Sequence, residues 1–598
     1  MAHPGSHPRV GKTEPAKPIG GIINIVGLFH RGTDYVRAHA VNLLCALALA
    51  SVALTPSLVP RPTLFQGFLA GLWFMIGFQL GFAVRGLGRV MARRFRKPTP
   101  VVHSAAGGTD TRFPARIGAA VGLGLLTYVI GYGALVVSWQ NRVRELVEMG
   151  PVDGAGHAAF LASMFATMAV FYGMARGIGA LRAVAGRRVA RRGGSASRAR
   201  WASRATGLIA VLALVAGLTV TGLAAVGKIY ADRDAGTLAG SVQPVLAGRS
   251  GGPGSAVDWD GLGRQGRAFA GGGPSAAQIS RFTGTPAREP VRVYAGLSHG
   301  TDARGRAELV VEELVRTGGF ERDVLLVATP TGSGWLEPQT IAALEYLYGG
   351  NTAAASMQYS FQPSWVSFLF DPELAAESSR ALFDAVHARW LQLPEAERPR
   401  LAVYGLSLGA QGMSGSFENL DDLLARTDAA LFTGPPANSQ PWRTLQANRD
   451  SGSPIWQPIY QQGREVRWQS KPGDFGTPGG EWRQPRLGYL QHATDPITWL
   501  DPAVIYQRPE WLAGPAATGG RGADVSDSMR WIPGVTFLHL VTDMLVSEAV
   551  PPSHGHNFGD VALDGWAQVL PGHGRSEAQL ASIQSVIEQI DTHDPTWE

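Results

Sequence analysis

The sequence predicts an α-helical transmembrane domain of five spans, followed by an α/β domain in which helices cover both faces of a mostly parallel sheet. Three observations carry that prediction. Five uncharged apolar stretches of 18 to 23 residues fall between positions 40 and 227. Beyond position 290, short β-branched runs alternate with helical stretches. Net charge changes sign between the two parts: residues 1–230 carry 26 Lys and Arg against 6 Asp and Glu, and the remainder 27 against 41.

At 598 residues the chain is longer than one typical domain. Its 45% hydrophobic and 17% charged residues exclude a disordered chain. The single cysteine, Cys45, excludes an intramolecular disulfide framework and a cysteine-built zinc site. A helix needs about 20 apolar residues to cross ~30 Å of hydrocarbon. The stretches 40–60, 64–84, 117–139, 158–175 and 205–227 approach or meet that length. The loops 85–116 and 176–204 together hold 17 basic residues and one acidic, which assigns them to the cytoplasm by the positive-inside rule. Five spans then leave the tail 1–39 inside and everything beyond the membrane domain 40–230 outside. Because the arginine clusters sit between spans, topology and anionic lipid account for them without nucleic acid. Val10-Gly11-Lys12-Thr13 resembles part of a phosphate loop, but no strand precedes it and Gly5 is one residue too far away.

Residues 231–290, rich in Gly, Ser and Arg, read as a linker and lead-in. In 291–598, strands are expected at 291–295, 324–329, 356–360, 401–404, 429–433 and 487–491, with helices at 304–316, 338–348, 372–393 and from 408. Strands spaced by helices of this length pair in parallel. Two long segments, 435–485 and 499–550, interrupt the alternation. They carry several tryptophans and read as lid-like insertions.

The strand at 401–404 runs into Gly405-Leu406-Ser407-Leu408-Gly409, the G-x-S-x-G pattern of a nucleophile elbow. Glycines on both sides permit a strained turn that lifts the serine hydroxyl clear of the backbone, and the Leu408 amide can bind a developing oxyanion. A serine needs a base and the base an orienting acid. Asp495, leaving the strand at 487–491 in an Asp-Pro turn, supplies the acid, with Asp501 a weaker substitute. The base is expected in Ser553-His554-Gly555-His556-Asn557. His556 is favoured over His554 as nearer the following helix, with His539 and His573 more distant. His492 reads as a structural or pocket residue. The Gly-rich loop after the strand at 324–329 offers Thr331 and Gly332 as further oxyanion donors. No strand is legible between Asp495 and these histidines, and no cysteine or carboxylate set joins them at metal-ligand spacing.

On the elbow at 405–409, the Tyr-Leu-Gln-His-x-x-Asp-Pro run at 489–496 and the Gly-His-Asn-Phe run at 555–558, the chain resembles the α/β-hydrolase superfamily. It is most similar to the actinobacterial membrane-anchored branch, which has a multi-span N-terminal domain. The order Ser407, Asp495, His556 is that superfamily's. The resemblance implies an α/β-hydrolase domain that is a serine hydrolase (esterase or lipase-like) or acyltransferase. Its partners would be membrane lipids and a lipid or acyl-ester substrate; no cofactor, metal or nucleic acid is expected, and oligomeric state is not legible. The competing expectation is a transporter, channel or envelope-assembly protein with a non-catalytic hydrolase-like domain.

Overall fold

The computed structural model describes residues 25–95, 112–300, 302–515 and 520–590; the tail up to position 24, with the stretch 10–13, lies outside them. Five helices open the chain: α1 (Ile25–Ala53), α2 (Thr63–Phe95), α3 (Arg112–Leu146), α4 (Gly154–Arg191) and α5 (Ala196–Ala235). Four segments of them are long and apolar enough to cross a bilayer: Thr63–Ala92, Gly122–Leu146, Gly154–Arg191 and Ala196–Ala235. The first expected span yields a shorter apolar helix, Ala38–Ala53. Pro56, Pro60 and Pro62 follow it, and proline cannot continue the helical hydrogen-bond ladder. The apolar window of α5 buries none of its residues, and Leu208, Ile209, Leu212, Val215 and Leu218 are exposed. An apolar surface of that extent belongs in lipid: this is a membrane protein.

The chain forms two compact units. In one, made of α1 up to Leu49 and the parts of α2 and α3 between Ile76 and Ala134, the Asn42 side chain of α1 donates to the Phe78 carbonyl of α2 at 2.8 Å. The other holds Ala50–Met75 and everything from Leu135 onward.

In the second unit the expected linker is folded. Its helices α6 (Gly263–Gly271) and α7 (Ala276–Thr283) bury Phe269, Ala270 and Ile279 in the core, because these apolar side chains recur at helical spacing among the glycines. The sheet then builds in βα steps. β1 (Val291–Ala295) leads to α8 (Ala303–Arg316), β2 (Val324–Thr329) to α9 (Pro338–Leu347), and β3 (Thr352–Met357) to α10 (Ser364–Phe370) and α11 (Pro372–Leu391). β4 (Arg400–Leu406) leads to α12 (Leu408–Ser414) and α13 (Leu420–Arg426), and β5 (Ala429–Thr433) to α14 (Trp442–Ala447). β6 (Val466–Gln469) and β7 (Arg486–Leu490) follow, then α15 (Pro496–Trp499), α16 (Val535–Met544), α17 (Ala562–Val569) and α18 (Glu577–Ile587).

The strand order is β1-β3-β2-β4-β5-β7-β6, with every pair parallel. Successive side chains of β2 enter opposite cores, Leu325 and Val327 one face, Val324, Leu326 and Ala328 the other, so both faces are covered. β3 lies four residues before its expected start at 356. Its Ala353–Ala355 run has little intrinsic strand preference but is buried between β1 and β2, where packing overrides propensity. Part of the first expected lid insertion is sheet instead: β6, an edge strand of four residues, lies inside 435–485, and Trp468 on it is fully buried.

Residues 54–62, which join α1 to α2, are built into this second unit. Arg61 pairs with Asp543 of α16 (Nε to Oδ1, 2.7 Å), and both side chains are buried. The Leu58 amide donates to Asp543 Oδ2 at 3.0 Å, and Arg61 Nη1 to Gln66 Oε1 at 3.2 Å. Burial pushes the Asp543 carboxyl above its ordinary range, while Arg61 and the Leu58 amide pull against that rise. Val59 adds an apolar contact with Val147, beyond α3, and with Val550. Arg61→Met is expected to leave an uncompensated buried carboxylate, a cost of about 3–5 kcal/mol. Adding Asp543→Leu should recover most of it, read as the thermal unfolding midpoint of the full chain in detergent.

Candidate active site

All seven strands point the same way, so their carboxyl ends share one edge, where open α/β sheets place ligands. Ser407 leaves β4 there with φ 55° and ψ −122°, then α12 begins. A serine held at positive φ is strained, and the surroundings impose it. The Ser407 amide donates to the Thr433 carbonyl of β5 at 2.8 Å. A β-carbon at Gly409 would strike the Thr329 carbonyl and stand 2.8 Å from the Pro330 carbonyl oxygen, so only glycine lets α12 pass this close to β2.

Asp495 caps α15. Its Oδ1 accepts from the Ile497 amide at 2.9 Å and its Oδ2 from the Thr498 hydroxyl at 3.2 Å. The same Oδ2 lies 2.7 Å from His556 Nδ1, and both side chains are buried. Among the described residues, no strand leads into the His556 loop. It hangs after α16, held by the His556 amide on the Ser547 carbonyl (2.9 Å) and by the Gly555 amide on Thr494 Oγ1 (3.0 Å). Gly434 leaves room for the ring, since a β-carbon there would stand 2.5 Å from His556 Cε1. Burial pulls the His556 pKa down, but Asp495 first, then Glu548 and Glu337, outweigh it and hold the imidazole above its ordinary range.

One small cavity, about 40 Å³, is lined by Ser407, Leu408, Thr331 and His556 together with Trp365, Phe368, Met544 and Glu548. His556 Nε2 has no hydrogen-bond partner among the described residues. Apo sites commonly leave such contacts loose until substrate tightens them. Two of the three amides expected to bind an oxyanion are engaged: Thr331 donates to the Trp335 carbonyl at 2.9 Å, and Gly332 to the Ser364 hydroxyl at 3.2 Å.

The other sequence candidates lie apart. His554 turns to Asp524, Nδ1 to Oδ2 at 3.1 Å, rather than to Asp495. His492 is buried, bonded to the Gly555 carbonyl at 3.0 Å and stacked on Phe558 at 4.1 Å. Asp501 caps a short turn and pairs with Arg443 at 3.4 Å. The His573 ring accepts from the Arg575 amide at 3.0 Å, and the His539 carbonyl accepts from Arg61.

Two protein-family models match the chain, an alpha/beta-hydrolase family over residues 291–583 and the N-terminus of the same family over residues 54–274. The chain belongs to this alpha/beta-hydrolase family. No curated protein and no solved structure matches it.

Sequence reasoning missed three carboxylates of this site. Asp524 holds His554, while Glu337 and Glu548 face His556. Glu337 had a local signal, since it precedes Pro338 at the start of α9, directly after the Gly-rich loop. Glu548 and Asp524 had none; only folding brings them to the edge of the sheet. Because Ser407 is strained, Ser407→Gly is expected to stabilise the protein by roughly 1 kcal/mol, raising its thermal midpoint, whereas Ser407→Ala should not.

Proposed function

We propose that this protein is a membrane-anchored serine hydrolase, esterase-like or lipase-like, or an acyltransferase, working outside the cytoplasmic membrane on lipid or acyl-ester substrates. The supporting observation is the shared cavity, with Ser407 on one wall and His556 on another, the imidazole tied through its far nitrogen to Asp495. With Nδ1 donating to the carboxylate, Nε2 is left as the acceptor. Ser407 Oγ attacks the ester carbonyl while His556 Nε2 takes its proton. The ester C–O bond then breaks, and His556 returns the proton to the departing alcohol. Water, or a second alcohol, attacks the acyl-serine through the same base. The Leu408 amide, first of α12, supports the oxyanion. The Gly332 amide joins it once the Ser364 hydroxyl turns away, and Thr331 lines the same wall.

The outward orientation rests on charge, 17 basic residues against one acidic in loops 85–116 and 176–204. A reporter that fluoresces only in the cytoplasm, fused after Glu598, should stay dark; a bright fusion would reverse the topology.

Ser407→Ala is expected to abolish labelling by a fluorophosphonate and ester cleavage while leaving membrane insertion intact. Losses in such a unit are on the order of 10⁴–10⁶ in rate, and His556→Ala should match Ser407→Ala with no further loss in the double variant. His554→Ala should cost less, roughly 10–100-fold. Equal, modest losses at both histidines would favour a non-catalytic domain.

The raised His556 pKa keeps the base protonated to a higher pH, so labelling should fade on acidification sooner than a free imidazole would give. Glu548→Gln removes a negative charge beside it, lowers that pKa and should move the acid limb to lower pH. A limb that stays put or moves up would show that Glu548 does not set it.

A further inference from the structure

The sheet supplies only part of the Ser407 cavity. Its remaining walls include α10, through Ser364, Trp365 and Phe368, the end of α16, through Met544, and Glu548 just beyond it. Each wall is fixed beside the end of an apolar helical run. In α5 the uncharged run 205–227 is about 34 Å long, enough for one crossing, and it ends at Lys228. A β-carbon at Gly227, the last residue of that run, would stand 3.7 Å from Gln362, just before α10. About two turns further along α5, Gln358 donates to Asp234 at 3.1 Å, fixing the same segment to α5. On the other wall, Arg61 holds α16 through Asp543 two residues before α2 begins its own apolar run. Both walls therefore lie beside the ends of apolar runs of membrane-helix composition.

The cavity itself is too small for a long acyl chain. Its 40 Å³ falls far below the ~300 Å³ of a pocket that encloses a drug-sized ligand. Any chain beyond a few carbons must extend past Trp365, Phe368 and Met544. There the surface stays apolar: Phe370 of α10 is 57% exposed and Leu538 of α16 is 41% exposed, although neither lines the cavity.

Resting on the serine-hydrolase reading above, we propose that substrate reaches Ser407 from the bilayer, between α10 and α16. The substrate class is then a membrane-resident ester, whose carbonyl rises to Ser407 while its acyl chain stays in lipid. A water-borne ester is not the natural substrate on this reading.

The test uses the full chain in phosphatidylcholine vesicles with two fluorophosphonates, one short and water-soluble, one with a long alkyl tail that partitions into the vesicle. Phe370→Glu and Leu538→Glu should each slow labelling by the long probe about tenfold, the scale of losing one buried apolar side chain, and leave the short probe unchanged. Long-probe labelling in the unaltered chain should follow the probe's mole fraction in the bilayer, falling as plain phosphatidylcholine is added at constant bulk concentration. Equal effects on both probes, no effect on either, or a rate set by bulk concentration would overturn the proposal. Labelling that persists in Ser407→Ala would instead sink the serine-hydrolase reading. The route can be read without that chemistry by a diazirine-tailed phosphatidylcholine in the same vesicles, applied to Ser407→Ala protein. Adducts on 364–370 and 535–545 support it, and adducts confined to the five N-terminal helices refute it.

Discussion

Parallel pairing of all seven strands is the constraint on which the rest of the structure depends. A parallel strand must be returned to its start by a crossover, so helices cover both faces and every carboxyl end falls on one edge. With both faces filled by apolar side chains, that edge is where polar chemistry can collect without unsatisfied buried groups. Ser407 follows β4, Thr331 follows β2, α10 follows β3, Gly434 follows β5 and Asp495 follows β7. Five separate strand ends converge on one imidazole because the sheet leaves them no other side.

The His556 loop is the exception, since no strand among the described residues delivers it. Its position comes from hydrogen bonds to Ser547 and Thr494 and from the Asp495 contact. Ser547 lies just past α16, and α16 is held by Arg61. A buried arginine and a buried carboxylate are costly to desolvate separately and tolerable only together, so the pair ties two distant segments with little freedom. The loop joining α1 to α2 thus belongs to the scaffold of the candidate site. The family's N-terminal segment begins at residue 54, within that loop.

Most of the fold was legible because its signals are local. Uncharged runs of membrane length, the Gly405–Gly409 elbow and the alternation of strand and helix are properties of neighbours in the chain. Asp495 and His556 were also within reach, as polar residues at a strand end and in a loop before a helix. β6 was not, because four residues at a sheet edge, inside a polar, tryptophan-rich segment, have too short a period to read. β3 was displaced because alanines become strand only when two neighbours bury them.

What the sequence by itself determined is the set of elements and the chemical groups at their ends: membrane helices, parallel strands, a strained serine, a carboxylate and two histidines. Tertiary structure alone decided which groups meet. It turned His554 to Asp524 and His556 to Asp495, although the two histidines are two residues apart and differ little in local context. It also brought Glu548 to the imidazole, engaged the Thr331 and Gly332 amides elsewhere, and joined Arg61 to a carboxylate 482 positions away. Contacts of that separation depend on loop closure and on burial in the assembled core, and neither is written in the spacing of residues along the chain.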